Sequence, residues 1–275
     1  MKTQDLDVTR LMTSVLAVGL MALAVTLWPA PAAAGPVAER VRDSRVLRVC
    51  IWPDYYGISF RNPRTQQLSG LDVDMAGELA HDLKATLQFV DSSFVNLAAD
   101  LQQGRCDVAM FAVGMLPQRM TAMRFTRPYM ESDIYGVTTR SNRAVMRWED
   151  IDKPGVRVAV QAGTFMEPVM QASLKQATMV VVRPPATRER ELEAGRVDVF
   201  MTDYPYSRRL LDNADWARLI GPPQPFHTLP YAYAVAHGDD AWHQQIDAFV
   251  ARVQRDGRLE SAARRHGLTS VLRLR

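Results

Sequence analysis

Lysine is almost missing from this chain of 275 residues. It stands only at positions 2, 84, 153 and 175, and arginine carries nearly all the positive charge. The formal net charge is +3, scattered rather than gathered into a basic run with interleaved aromatics, so nucleic acid is a poor partner. Cysteine is scarcer still, with Cys50 and Cys106 alone. There is no Cys-x-x-Cys and no His/Cys cluster, and the histidines at 81, 227, 237, 243 and 266 lie apart, so no metal is expected. The glycines form neither a G-x-S-x-G elbow nor a G-x-G-x-x-G loop, which argues against a serine hydrolase elbow and a dinucleotide site. No cofactor and no catalytic residue is expected. Beyond the N-terminus no apolar run is long enough to span a bilayer.

The N-terminus has one such run. Leu11 to Trp28 carries no charge and is followed by small residues, with Ala32 and Ala34 in the spacing of an A-x-A cleavage site. Residues 1–34 read as a secretory signal peptide, and the body as periplasmic. An uncleaved anchor is the alternative, and both place the body outside the cytoplasm. That compartment permits a disulfide. If the strands that carry Cys50 and Cys106 are parallel neighbours, however, the sulfurs fall at opposite ends, so buried free thiols are the expectation.

The body contains a near repeat. Leu101-Gln-Gln-Gly-Arg-Cys-Asp-Val-Ala-Met110 recurs as Leu192-Glu-Ala-Gly-Arg-Val-Asp-Val-Phe-Met201. Each copy reads as a helix end, a glycine stop and a buried strand. Around the first copy, the strands Val46–Ile51, Leu87–Val90 and Asp107–Phe111 alternate with helices from Gly70 and Val95. Around the second, Gly155–Val160, Met179–Val182 and Val197–Thr202 do the same. The alternation defines an α/β class with parallel sheets and helices on both faces. The extended segments 135–139 and 229–235 join the lobes, giving lobe 1 as 44–136 plus 232–275, lobe 2 as 137–231, and a two-strand hinge between them.

Ligands of open α/β sheets lie beyond the carboxyl ends of the strands. That rule selects Trp52 and Tyr55, Phe111, Ala112 and Gly114, Thr164 and Phe165, and Asp203, with Phe94 beside a strand end. Arg119 lies in the first turn of a short helix begun by Pro117. A guanidinium from one lobe and a carboxylate from the other suit a zwitterion, an α-amino acid. Backbone N–H groups near Gly114, Thr164 and Phe165 would complete the carboxylate cradle. The bland alternatives are a surface partner for Arg119 and a helix cap for Asp203. Trp52, Tyr55 and Phe94 would form an aromatic wall, while core packing is the default for Phe111. Glu167 is a lone acid nearby, in a position where helix starts often carry one.

These motifs, in this order, resemble the periplasmic solute-binding proteins of amino-acid ABC transporters, family 3. The pieces are Leu47-Arg-Val, Ser69-Gly-Leu-Asp-Val-Asp-Met-Ala76, the first repeat, Pro117-Gln-Arg119, Phe125-Thr-Arg-Pro-Tyr129, Gln161-Ala-Gly-Thr164, the second repeat with Thr202-Asp203, and Tyr233-Ala-Val-Ala-His-Gly238. The resemblance implies a type II two-lobed periplasmic-binding-protein fold and a monomer that closes on one small ligand and delivers it to an ABC permease. It implies carboxylate binding by Arg119, ammonium binding by Asp203, flanking rings at Tyr55 and Phe94, and second-lobe carboxylate contacts at Thr164 and Phe165. The chain departs from the pattern at Ala112 and Gly114, where hydroxyl side chains are usual, and at Trp52, where binders of basic amino acids often carry an acid. The first departure leaves only backbone N–H donors in that loop; the second argues against a basic amino acid and favours an apolar or aromatic one, or a non-standard ligand. Two other functions compete: a cyclohexadienyl or arogenate dehydratase on the same scaffold, with Glu167 as its acid and prephenate as a substrate, and a ligand-sensing accessory protein.

Overall fold

The computed structural model describes residues 35–274. Residues 1–34, read from the sequence as a signal peptide, lie outside them. No helix among the described residues is long and apolar enough to cross a membrane.

The first half runs α1 (Pro36–Ser44), β1 (Val46–Ile51), β2 (Asp54–Tyr55), β3 (Ser59–Arg61), β4 (Leu68–Ser69), α2 (Leu71–Asp82), β5 (Thr86–Asp91), α3 (Leu97–Gln102), β6 (Val108–Gly114), α4 (Pro117–Met120), β7 (Arg124–Phe125) and β8 (Met130–Ser132). The second half continues β9 (Ile134–Thr139), β10 (Arg157–Gln161), α5 (Met166–Ser173), β11 (Thr178–Val182), α6 (Arg188–Glu193), β12 (Val199–Asp203), α7 (Tyr204–Leu211), β13 (Ala217–Ile220), β14 (Leu229–Val235), α8 (Asp240–Arg255) and α9 (Arg258–His266). Two main sheets result. One has the order β5-β1-β6-β14-β7, with β8 also on β14, and the other β11-β10-β12-β9-β13. Each has three parallel strands at its heart, extended by antiparallel strands on one side. A small sheet β2-β3-β4 stands apart.

The repeat has the same physical job in both lobes. Asp107 accepts from the Arg48 backbone N–H at 2.7 Å and from its guanidinium at 2.7 Å. Asp198 accepts from the Arg157 N–H at 2.8 Å and from its guanidinium at 3.0 Å. Each aspartate therefore pins the start of the repeat strand to its parallel neighbour, β1 or β10. The arginine before it reaches back to an acid on the preceding helix, Arg105 to Asp100 and Arg196 to Glu191. Gly104 and Gly195, with φ of +64° and +66°, make the left-handed turns that end those helices. The strands that follow, β6 and β12, are buried throughout.

The thiols are not free. Cys50 and Cys106 form a disulfide with Cα atoms 5.5 Å apart, which corrects the sequence-based expectation. Cys50 lies opposite Ala109. Three extended residues earlier would place Cys106 roughly 10 Å away along the strand. Cys106 precedes β6, however, and lies outside the β1–β6 pairing, so the strand register does not fix its distance from Cys50.

The crossings also differ in detail. The segments read as joins each belong to a single sheet: Ile134–Thr139 pairs with β12 and β13, and Leu229–Val235 with β6, β7 and β8. The chain crosses at Asp133 and again within 221–228. Asp133 ties the two passages together, because its carboxylate accepts from the Phe226 and His227 N–H groups at 2.7 Å each. The tail returns to the first lobe, where the Trp242 indole of α8 donates to the Asp107 carbonyl at 2.7 Å.

Candidate functional site

The carboxyl ends of β1, β6, β10 and β12 converge between the two sheets. Trp52 leaves β1, and Ser59 Oγ holds its carbonyl at 2.8 Å. The short β2–β3 hairpin then turns Tyr55 inward. Trp52, Tyr55 and Phe94 form one aromatic cluster, with ring centroids 5.3–6.0 Å apart. Phe111 packs behind Phe94 at 5.0 Å and lies outside the cavity lining. From the other side come Thr164, Phe165 and Met166 at the start of α5, Arg188 at the start of α6, Thr202 and Asp203 at the end of β12, and Tyr206 in α7. With Trp52, Tyr55, Phe94, Ala112 and Gly114 they enclose a cavity of about 20 Å³, room for roughly one water.

Bonds cross this cavity from lobe to lobe. Arg119, buried on α4, donates to the Gly114 carbonyl at 3.0 Å and to the Gly163 carbonyl of the second lobe at 2.6 Å. Its guanidinium lies 5.1 Å from the Phe94 ring centre. No carboxylate among the described residues pairs with it, and burial lowers its pKa to about 10, still cationic at neutral pH. Arg119 borders the adjoining outer cleft, with Leu116, Gly163, Thr164 and Glu167, not the central cavity. In the other direction, Asp203 accepts from the hydroxyls of Tyr55 and Tyr231, the latter at 2.7 Å. It also caps α7, taking the Tyr206 N–H at 3.1 Å. Burial raises its pKa, and these donors oppose the rise. Burial, with the Asp203 charge next, pushes both tyrosines far above the ordinary phenol value, so they remain donors.

Packing accounts for one of the two departures in the first-lobe loop, Gly114. Ala112 has φ +49°, left-handed for a residue with a side chain. Its N–H is taken by buried Asp72 at 2.8 Å, and Asp72 also accepts from Tyr129 and Tyr233 at 2.6 and 3.0 Å. A Cβ at Gly114 would lie 2.5 Å from the Leu229 side chain, so that leucine occupies the space a hydroxyl side chain would need. The first-lobe cradle of backbone donors is therefore thinner than the sequence suggests. In the second lobe the Thr164 N–H is spent on the Gln161 carbonyl at 3.2 Å. The N–H groups of Phe165 and Met166 have no acceptor among the described residues, as expected where a helix begins. Glu167 accepts from the Gly163 N–H at 2.7 Å and faces the outer cleft.

Four cavity residues lie outside those that the sequence singles out: Met166, Arg188, Thr202 and Tyr206. So does Tyr231, which holds Asp203. Arg188 follows the loop after β11, a parallel strand whose carboxyl end the strand-end rule also covers. Tyr231 lies on a segment read only as a join.

Fold and cleft define a two-lobed α/β binding protein. The profile of the bacterial extracellular solute-binding proteins, family 3, matches residues 47–269, and the chain belongs to that family. It is 31% identical over 222 residues to a cyclohexadienyl dehydratase of Pseudomonas aeruginosa, covering 80% of this chain and 82% of that one. It is 23% identical to the L-cystine-binding protein TcyJ of Escherichia coli, covering 81% and 83%. Among solved structures, the ancestral amino acid-binding protein AncCDT-1, a precursor of cyclohexadienyl dehydratase, superposes with a TM-score of 0.76 at 26% identity, over 83% of this chain and 98% of that one.

Proposed function

We propose that this solute-binding protein works in the periplasm as a monomer, closes on one amino-acid-like carboxylate and passes it to an ABC permease. The observation that carries the reading is Arg119: a buried cation without an acidic partner among the described residues, bonded to carbonyls of both lobes. Burying a cation without a counter-charge is costly, and a ligand carboxylate relieves that cost. The unpartnered N–H groups of Phe165 and Met166 lie at the start of α5, next to Thr164, which borders both the cavity and the Arg119 cleft, and add donors. Trp52, Tyr55, Phe94, Phe165 and Met166 give the body of the ligand an apolar or aromatic surround, and Asp203 an acceptor for an ammonium group. Phe111 backs that wall. The cavity as it stands is too small for such a ligand, so entry requires the lobes to part about Asp133.

A thermal-shift screen of the mature protein against amino acids and related carboxylates tests this. A ligand at 100 times its Kd adds about 2.7 kcal/mol of stability, and a screen in which no carboxylate raises the melting temperature would defeat the reading. The dehydratase reading has one observation in its favour, the 31% identical relative. Binding without turnover is supported by the state of the acids. Asp203, the acid that lines the cavity, already accepts from three donors, and Glu167 holds a backbone N–H outside the cavity. Incubation with prephenate decides: no phenylpyruvate is expected, and catalytic turnover would make the protein an enzyme.

A further inference from the structure

We propose that Arg188 determines specificity by receiving a second acidic group, so that the ligand is a dicarboxylic acid. The inference rests on Arg119 as the anchor for the first carboxylate. Arg188 lines the cavity from α6 and is 3% exposed. Its guanidinium packs against the rings of Phe200 and Tyr206, 5.2 and 4.5 Å from their centres. One N–H goes to the Met201 carbonyl at 2.8 Å, and this is its single hydrogen bond among the described residues. Rings that cover the face of a guanidinium leave its in-plane donors open, the geometry that takes a carboxylate with two parallel bonds.

The acids whose charges reach Arg188 are committed elsewhere. Asp203 holds two tyrosine hydroxyls and a backbone N–H. Glu189 accepts from the Tyr206 hydroxyl at 2.6 Å, and Asp54 is exposed. None forms an ion pair with Arg188. Arg188 is thus a buried cation on the cavity wall, and the acid that shares that wall, Asp203, has its acceptor sites filled. A ligand with a second acidic group supplies the counter-charge that Arg188 lacks.

Calorimetry on the mature protein with two matched pairs tests the proposal: L-glutamate against L-glutamine, and phenylsuccinate against 3-phenylpropanoate. In at least one pair the diacid should bind about tenfold or more tightly than its partner. That ratio should collapse in Arg188→Gln and survive in part in Arg188→Lys, with circular dichroism establishing that both variants fold. If Arg188 merely balances Asp203, Arg188→Gln weakens both members of a pair alike and the proposal fails. It also fails if the monoacids bind as well as the diacids, or if no diacid binds. Monoacid binding that depends on Arg119 would leave the carboxylate-anchor reading intact while overturning this one. Should the variants not fold, the wild-type ratios alone decide.

Discussion

Asp72 shows how one buried carboxylate supports the site without touching its cavity. It takes the Ala112 N–H and two tyrosine hydroxyls, and burial still lifts its pKa from 3.8 to about 6. A carboxyl with a raised folded pKa favours the folded state while neutral. Its contribution is complete below about pH 4 and is lost as pH rises through about 6, a change on the order of 3 kcal/mol. Urea melts should therefore show wild type losing stability relative to Asp72→Asn across that window and running parallel above it. A difference that does not vary with pH would remove Asp72 from this role. Gly163 is a second case. Its φ is +75°, and a Cβ there would lie 2.8 Å from the Val95 side chain and 2.9 Å from the Val95 backbone nitrogen. Gly163→Ala should hold the lobes apart and weaken ligand binding by about tenfold or more, measured by calorimetry. Unchanged affinity would mean that closure does not bring these segments together.

At the scale of elements, the disulfide joins β1 to the approach of β6 across 56 residues. Closing a loop of that length constrains the unfolded chain by about 4 kcal/mol in the chain-entropy treatment. Cys50→Ala/Cys106→Ala should lose stability on that order in urea melts, and a loss well under 1 kcal/mol would show the bridge to be mechanically idle. The same elements mark what was legible in the sequence. The parallel strands and their helices were readable because hydrophobic runs and glycine stops are local signals, and the repeat exposed the duplication. The disulfide was not, because Cys106 lies before β6, where the strand register no longer places it. Asp133 was equally silent: its partners Phe226 and His227 lie more than ninety residues away.

The whole molecule was legible as two lobes with a cleft, and most of the cavity lining followed from the ends of the strands. Tyr231 and Arg188 are less legible, the first because its role arises only when Asp203 of the other lobe meets it, the second because it stands at a helix start, six residues beyond the end of β11. Closure makes the site: Arg119 reaches Gly163, and Tyr55 and Tyr231 reach Asp203, only with the lobes together. Ligand should therefore change the lobe spacing, seen as a changed radius of gyration in X-ray scattering, and identical curves with and without ligand would argue for a rigid cleft. The central claim is that a ligand carboxylate completes the coordination of Arg119. Calorimetry of Arg119→Ala, with the tightest carboxylate from the thermal-shift screen, tests it most directly. The expected loss is roughly 2–5 kcal/mol, and a loss of less than about threefold in affinity would contradict it.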